Sequence, residues 1–152
     1  MKIFQIRRSL WVPQPIDKVF YFFADVRNLD RLTPKWLKFY SETADKTEIK
    51  EGAHRTHRLK VRGIPIRWVS EIIEWDPPYG FVDEQRKGPY RFWRHEHTFE
   101  EERGGTLCAD AVKYSVTGGE LVNRFLVAPD LKRVFDYRQD SLRRIFSQPL
   151  ND

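Results

Sequence analysis

The chain has 152 residues, with 27 basic against 22 acidic side chains and one cysteine, Cys108. That length suits one compact domain over residues 1–152, and five Trp, six Tyr and eleven Phe exclude a disordered chain, which is poor in aromatics. A single cysteine excludes an intramolecular disulfide and a cysteine-based zinc module.

The N-terminal stretch MKIFQIRRSLWVPQP lacks the continuous apolar region of a signal peptide. Residues 2–12 read instead as a first strand, stopped by Pro13 and Pro15. Asp17 to Ala24 then forms a compact apolar run with Pro15 near its start, the pattern of a short helix, and Asn28 to Leu32 adds another turn before Pro34. The best apolar run, Val19 to Ala24, falls far short of the roughly 20 residues a membrane span needs. A cytoplasmic chain without stable membrane insertion is therefore expected.

From Trp36 to Tyr114 the pattern is of strands. In residues 53–62, His57, Leu59 and Val61 alternate with Thr56, Arg58, Lys60 and Arg62, a half-buried strand with a basic outer face. The net charge of +5 is mild, and much of it lies on Arg55, Arg58, Lys60, Arg62 and Arg67. It reads as a solvated strand face, with no nucleic-acid partner expected. Turns at Gly63–Pro65, Asp76–Gly80, Gly88–Pro89 and Gly104–Gly105 separate strands over residues 66–75, 81–86, 90–100 and 106–115. Short strands joined by turns argue for an antiparallel sheet. The last segment is helical over about residues 129–147. Leu131, Val134, Phe135, Arg138, Leu142, Ile145 and Phe146 fall three and four apart, Pro129 fits the first turn, and Pro149 follows the end.

The expected fold class is α+β, a helix-grip arrangement in which a curved antiparallel sheet wraps a long C-terminal helix, with two short helices after the first strand. Such a grip leaves room for a ligand between sheet and helix.

Several residue runs carry a family resemblance. They are Gly63-Ile64-Pro65-Ile66-Arg67-Trp68, Trp75-Asp76-Pro77-Pro78, Phe81 to Gln85, Gly88-Pro89-Tyr90, Trp93 to Phe99, and Gly105-Thr106 with Asp110. Together with Val19 to Asp25 and Asn28-Leu29 they resemble a bacterial ligand-binding branch of the SRPBCC superfamily. That superfamily includes START lipid-transfer domains, birch-pollen-allergen-like proteins and polyketide cyclases. The resemblance covers nearly the whole chain. It implies a deep, mostly apolar cavity for a small hydrophobic molecule, but no single reaction, since the fold hosts binders, transporters and enzymes. It also admits a second copy of the chain or an epimerase-like protein as partner.

The richest stretch is Arg91 to Glu100. On a strand, Trp93, His95, His97 and Phe99 share one face, and two aromatics bracketing the histidines turn that face inward. Buried polar groups need partners, and neighbouring strands offer them at matching parity: Asp83 and Gln85 beside Phe81, and Asp110 and Tyr114 beside Val112. A polar band of Gln85, His95, His97, Asp110 and Tyr114 would either fix the sheet through its own hydrogen bonds or anchor the head of an apolar ligand. Acid–base work by His95 or His97 with Asp110 is the enzymatic alternative, of a cyclase or dehydratase kind. Two imidazoles and a carboxylate can also hold a metal, but the spacing is common; no metal and no cofactor are expected. Cys108 reads as a small core residue. Trp68 and Glu71 are candidate cavity residues, but both faces of their strand carry apolar side chains, so periodicity does not choose between them. Phe20, Phe22, Phe23, Leu29, Trp36 and Phe39 form an aromatic-rich region where the cavity would open.

Overall fold

The computed structural model describes residues 1–42 and 49–147. The part of the expected strand pattern over 43–48, and Pro149, lie outside the described residues.

The strands are β1 (Phe4–Val12), β2 (Tyr40–Ser41), β3 (His54–Val61), β4 (Ile64–Asp76), β5 (Gly80–Lys87), β6 (Phe92–Glu102) and β7 (Gly105–Ser115). They form one antiparallel sheet in the order β1-β7-β6-β5-β4-β3-β2. Helices α1 (Ile16–Ala24) and α2 (Leu29–Leu32) close one end of its concave face, and α4 (Ala128–Phe146) lies along it. This is the helix-grip architecture expected from the sequence.

Local chemistry explains the meander. The β3–β4 connection is Arg62-Gly63 and the β6–β7 connection Arg103-Gly104, each with positive φ at both residues (51° and 78°, 48° and 75°). A type I′ hairpin requires that combination, and glycine supplies the second position without strain. Gly80 starts β5 where a side chain has no room: a Cβ there would stand 2.6 Å from the His97 carbonyl oxygen.

Two findings differ from the sequence expectations. The last helix begins at Gly119, not near 129, running through α3 (Gly119–Val122) and a π-turn (Asn123–Val127) into α4. Proline inside a helix clashes with the carbonyl four residues back, and the wider π-turn just before Pro129 lets the helix pass through it. Arg55, expected on the solvated face, is buried instead. It shares strand parity with His57 and Leu59, which face inward.

The core has two parts. One gathers Phe20, Phe22, Phe23, Phe81, Phe99 and Phe146 around α1 and the end of α4. The other gathers Trp93, Val112, Tyr114, Leu131 and Phe135. Cys108 belongs to the first, and burial pushes its thiol up to about 12, so it behaves as a small apolar side chain. Among the described residues no helix is long and apolar enough to cross a membrane.

Candidate functional site

A polar band separates the two core clusters. In β6, alternation turns Trp93, His95, His97 and Phe99 inward together, and all four are buried. The β6–β7 register sets His97 opposite Asp110, and the β5–β6 register sets His95 opposite Asp83. The side chains then connect diagonally. His95 Nε2 lies 2.8 Å from Asp110 Oδ1, and His97 Nε2 lies 3.0 Å from Asp83 Oδ2. His97 Nδ1 stands 3.2 Å from Asp110 Oδ1, within ion-pair distance but off the line of a hydrogen bond. The two imidazoles stack with centroids 3.8 Å apart, and Phe81 stacks on His97 at 4.2 Å. From α4, Arg138 brings its Nε to 3.6 Å from Asp110 Oδ2.

The electrostatics follow from burial opposed by pairing. Burial alone would raise Asp110, but Arg138 and both histidines outweigh it and hold the carboxyl well below the usual range. Asp83 is lowered in the same way, burial being outweighed by the His97 hydrogen bond and nearby cations. Burial would lower His97, yet its contacts with Asp110 and Asp83 raise it. His95 is lowered by burial and by the neighbouring His97, against the pull of Asp110. Burial, then the adjacent Arg55 guanidinium, depresses His57 to about 4.

One side of this band opens on a pocket of about 180 Å³. Phe22, Phe23, Leu29 and Phe39 form its apolar wall on the helix side. Trp68, Phe81 and Trp93 line it from the sheet, and Arg55, His57, Asp83, His95, His97 and Arg138 supply its polar surface.

The expected site residues divide accordingly. Trp68, Trp93, His95 and His97 line the pocket, and Asp110 sits behind the histidines. Gln85, Tyr114 and Glu71 are not among its lining residues. Gln85 donates from Nε2 to the Tyr90 carbonyl at 2.7 Å and accepts from the Tyr90 N–H at 3.2 Å, tying the β5–β6 connection. Tyr114 donates to Asn123 Oδ1 at 2.7 Å and so fastens the start of the last helix. Glu71 faces outward, pairing with Arg86 at 3.0 Å and His54 at 3.2 Å. A bulge in β4 between Ile72 and Glu74 explains why periodicity was ambiguous: Trp68, Ser70 and Ile72 face inward before it, and Trp75 after it.

Of the expected aromatic opening, Phe20 is instead deep in the core and Trp36 is exposed beside Tyr137. Arg55, His57 and Arg138 also line the pocket, although none of them is among the candidate site residues that the sequence offers. The signals were present, since Arg55 shares the inward parity of β3 and Arg138 lies on the apolar stripe of α4.

A curved sheet gripping a long helix over such a pocket defines a helix-grip protein of the SRPBCC superfamily. A family model described as "Polyketide cyclase / dehydrase and lipid transport" matches residues 12–143, and the chain belongs to that family. Among solved structures, the fold is similar to that of a protein from Arthrobacter aurescens, at 13% identity and TM-score 0.74, covering 97% of this chain and 88% of that one. Protein Ms6760 from Mycobacterium smegmatis is similar at 15% identity and TM-score 0.69, with 94% and 90% covered. A nucleoside-diphosphate sugar epimerase from Corynebacterium glutamicum matches at 25% identity and TM-score 0.64, over 90% of this chain but 28% of that one. No curated protein matches the chain.

Proposed function

We propose that this chain binds a small hydrophobic molecule, a lipid, polyketide or aromatic metabolite, in the pocket under α1 and α2, and that it carries the molecule without converting it. The observation that carries this reading is the pocket itself, apolar on its helix side and polar where His95, His97, Arg55 and Arg138 meet it. Ligand sites combine apolar walls with a few converging polar groups in this way. Both buried carboxylates are engaged by histidine and held toward their ionised forms, Asp110 well below the usual carboxylate range, which suits a fixed polar anchor better than a carboxylate base.

Asp83, His95 and His97 each offer a ligand atom within 4.8 Å of the others, a spacing that could hold a metal. A cation there would have to break the Nε2 contact of His97 with Asp83 and sit among the buried guanidiniums of Arg55 and Arg138, which disfavours it. A second reading, acid–base chemistry of a cyclase or dehydratase kind, draws on the stacked histidines, whose environments push their proton affinities in opposite directions.

The test is native mass spectrometry of the protein as purified, with product analysis of any retained molecule. Retention of one small molecule per chain, released unchanged, is the expected result. Conversion by the wild type that is lost in His97→Gln while binding persists would replace carriage with catalysis. No retained molecule, together with no tryptophan response to an apolar dye, would sink both readings.

A further inference from the structure

We propose that the pocket selects ligands bearing a single negative charge at the polar end, a carboxylate carried on a compact apolar body. The inference rests on the binding role proposed above and narrows its ligand class.

Among the described residues, a few buried side-chain nitrogens lack hydrogen-bond partners. Three lie on pocket-lining residues, Nε of Arg55 and of Arg138 and Nδ1 of His57, while the fourth, Nδ1 of His97, is turned to Asp110 at 3.2 Å. Guanidinium groups only donate, so the two arginines need acceptors. Arg55, 7% exposed, spends one N–H on the Ala24 carbonyl at 2.9 Å and lies over the Phe81 ring at 5.9 Å. Arg138, 8% exposed, lies over the Phe23 ring at 5.3 Å. Its Nε is 3.6 Å from Asp110 Oδ2, beyond hydrogen-bond reach. A buried donor left open carries its full desolvation penalty, and the converging residues come from β3, β6 and α4, three elements held apart by the fold. An acceptor entering between them removes that penalty at several points together.

Charge decides which acceptor fits. The buried ionisable groups of the pocket and the band behind it are Arg55, Arg138, Asp83, Asp110, His57, His95 and His97. The two guanidiniums balance the two carboxylates. His57 and His95 are held toward their neutral forms, while His97 is favoured as a cation between Asp83 and Asp110. With His97 protonated, the set carries one positive charge in excess. A monoanion balances it, a doubly charged phosphate overshoots it, and an ammonium group or metal ion adds to it. A carboxylate also offers two acceptor oxygens in the planar geometry a guanidinium matches. Aliphatic and aromatic acids share this head and differ only in the apolar body, for which Phe22, Phe23, Phe39 and Trp68 supply the wall.

The test is calorimetric titration of the full chain with two matched pairs, 2-naphthoate against 2-naphthamide and octanoate against octanamide. Each amide keeps the apolar body and removes the charge, and the two pairs separate aromatic from aliphatic sources. At least one acid is expected to bind once per chain and roughly tenfold or more tighter than its amide, the scale of a charge-assisted hydrogen bond. Arg55→Gln should bring that acid down to the affinity of its amide. Equal affinities within both pairs would overturn the charge selectivity while leaving pocket binding intact. Binding of no member of either pair would overturn the pocket reading and the selectivity with it. Should Arg55→Gln fail to fold, wild-type protein with carboxyl-¹³C-labelled 2-naphthoate supplies the answer. The bound carboxyl should stay ionised at a pH where the free acid is half protonated, and protonation at the same pH bound and free would refute the proposal.

Discussion

His57 offers the sharpest test of how the pocket wall is built. Its ring is buried against Phe39 with centroids 5.0 Å apart, and burial plus the adjacent Arg55 hold its folded-state pKa at about 4. The unfolded value is near 6.5. The unfolded chain therefore takes up the proton first, so this residue costs nothing above pH 6.5 and destabilises the fold as pH falls from 6.5 toward 4. The difference of about 2.5 pH units corresponds to roughly 3 kcal/mol below pH 4, and to about 2.5 kcal/mol between pH 7.5 and pH 4.5. His57→Phe keeps a ring of similar shape and removes the titration. Urea unfolding of both proteins at those two pH values cancels every other acid-sensitive group, since all are common to both. The wild type should lose about 2.5 kcal/mol more than the variant on acidification. Equal losses would show that the ring is solvated and that β3 does not face the pocket there.

Three further outcomes are expected. Asp110→Asn removes the counter-charge of buried Arg138 and should cost about 3–5 kcal/mol at neutral pH in urea unfolding; a variant as stable as wild type would mean the band does not hold the sheet to α4. Because the folded-state affinity of Asp110 for protons is depressed, its contribution is present above about pH 4 and lost as pH falls further, so this variant should also flatten the acid limb of the stability profile. Gly80→Ala sets a Cβ 2.6 Å from the His97 carbonyl oxygen; a loss of about 1–3 kcal/mol and shifted His97 ring resonances are expected, and an unperturbed spectrum would contradict the close approach of β5 and β6. Phe135→Asp places an unpartnered charge beside His95 and should cost several kcal/mol; wild-type stability would remove this face of α4 from the core.

The alternation of β6 by itself determines which of its side chains share the face of the candidate site. A strand has two faces, and Trp93 and Phe99 bracketing His95 and His97 left only one way to orient them. The same parity placed Asp83 and Asp110 beside the histidines, and the three-and-four spacing from Leu131 to Phe146 placed the gripping helix. Periodicity is a local property, so it ran out where local structure breaks period. The β4 bulge switches the inward face between Ile72 and Trp75, which is why Trp68 reaches the pocket and Glu71 faces Arg86 and His54. The π-turn before Pro129 carries the last helix back to Gly119, beyond where a proline at the first turn suggested it began. Gln85 and Tyr114 fall outside the pocket lining, because the Tyr90 backbone and the Asn123 side chain take up their hydrogen bonds. Above all, composition marks arginine as a surface residue, and only the tertiary fold decides that Arg55 and Arg138 are buried. Arg55 lies over the Phe81 ring and Arg138 over the Phe23 ring, while Asp83 and Asp110 on separate strands supply the opposing charge, an arrangement no single stretch of sequence contains.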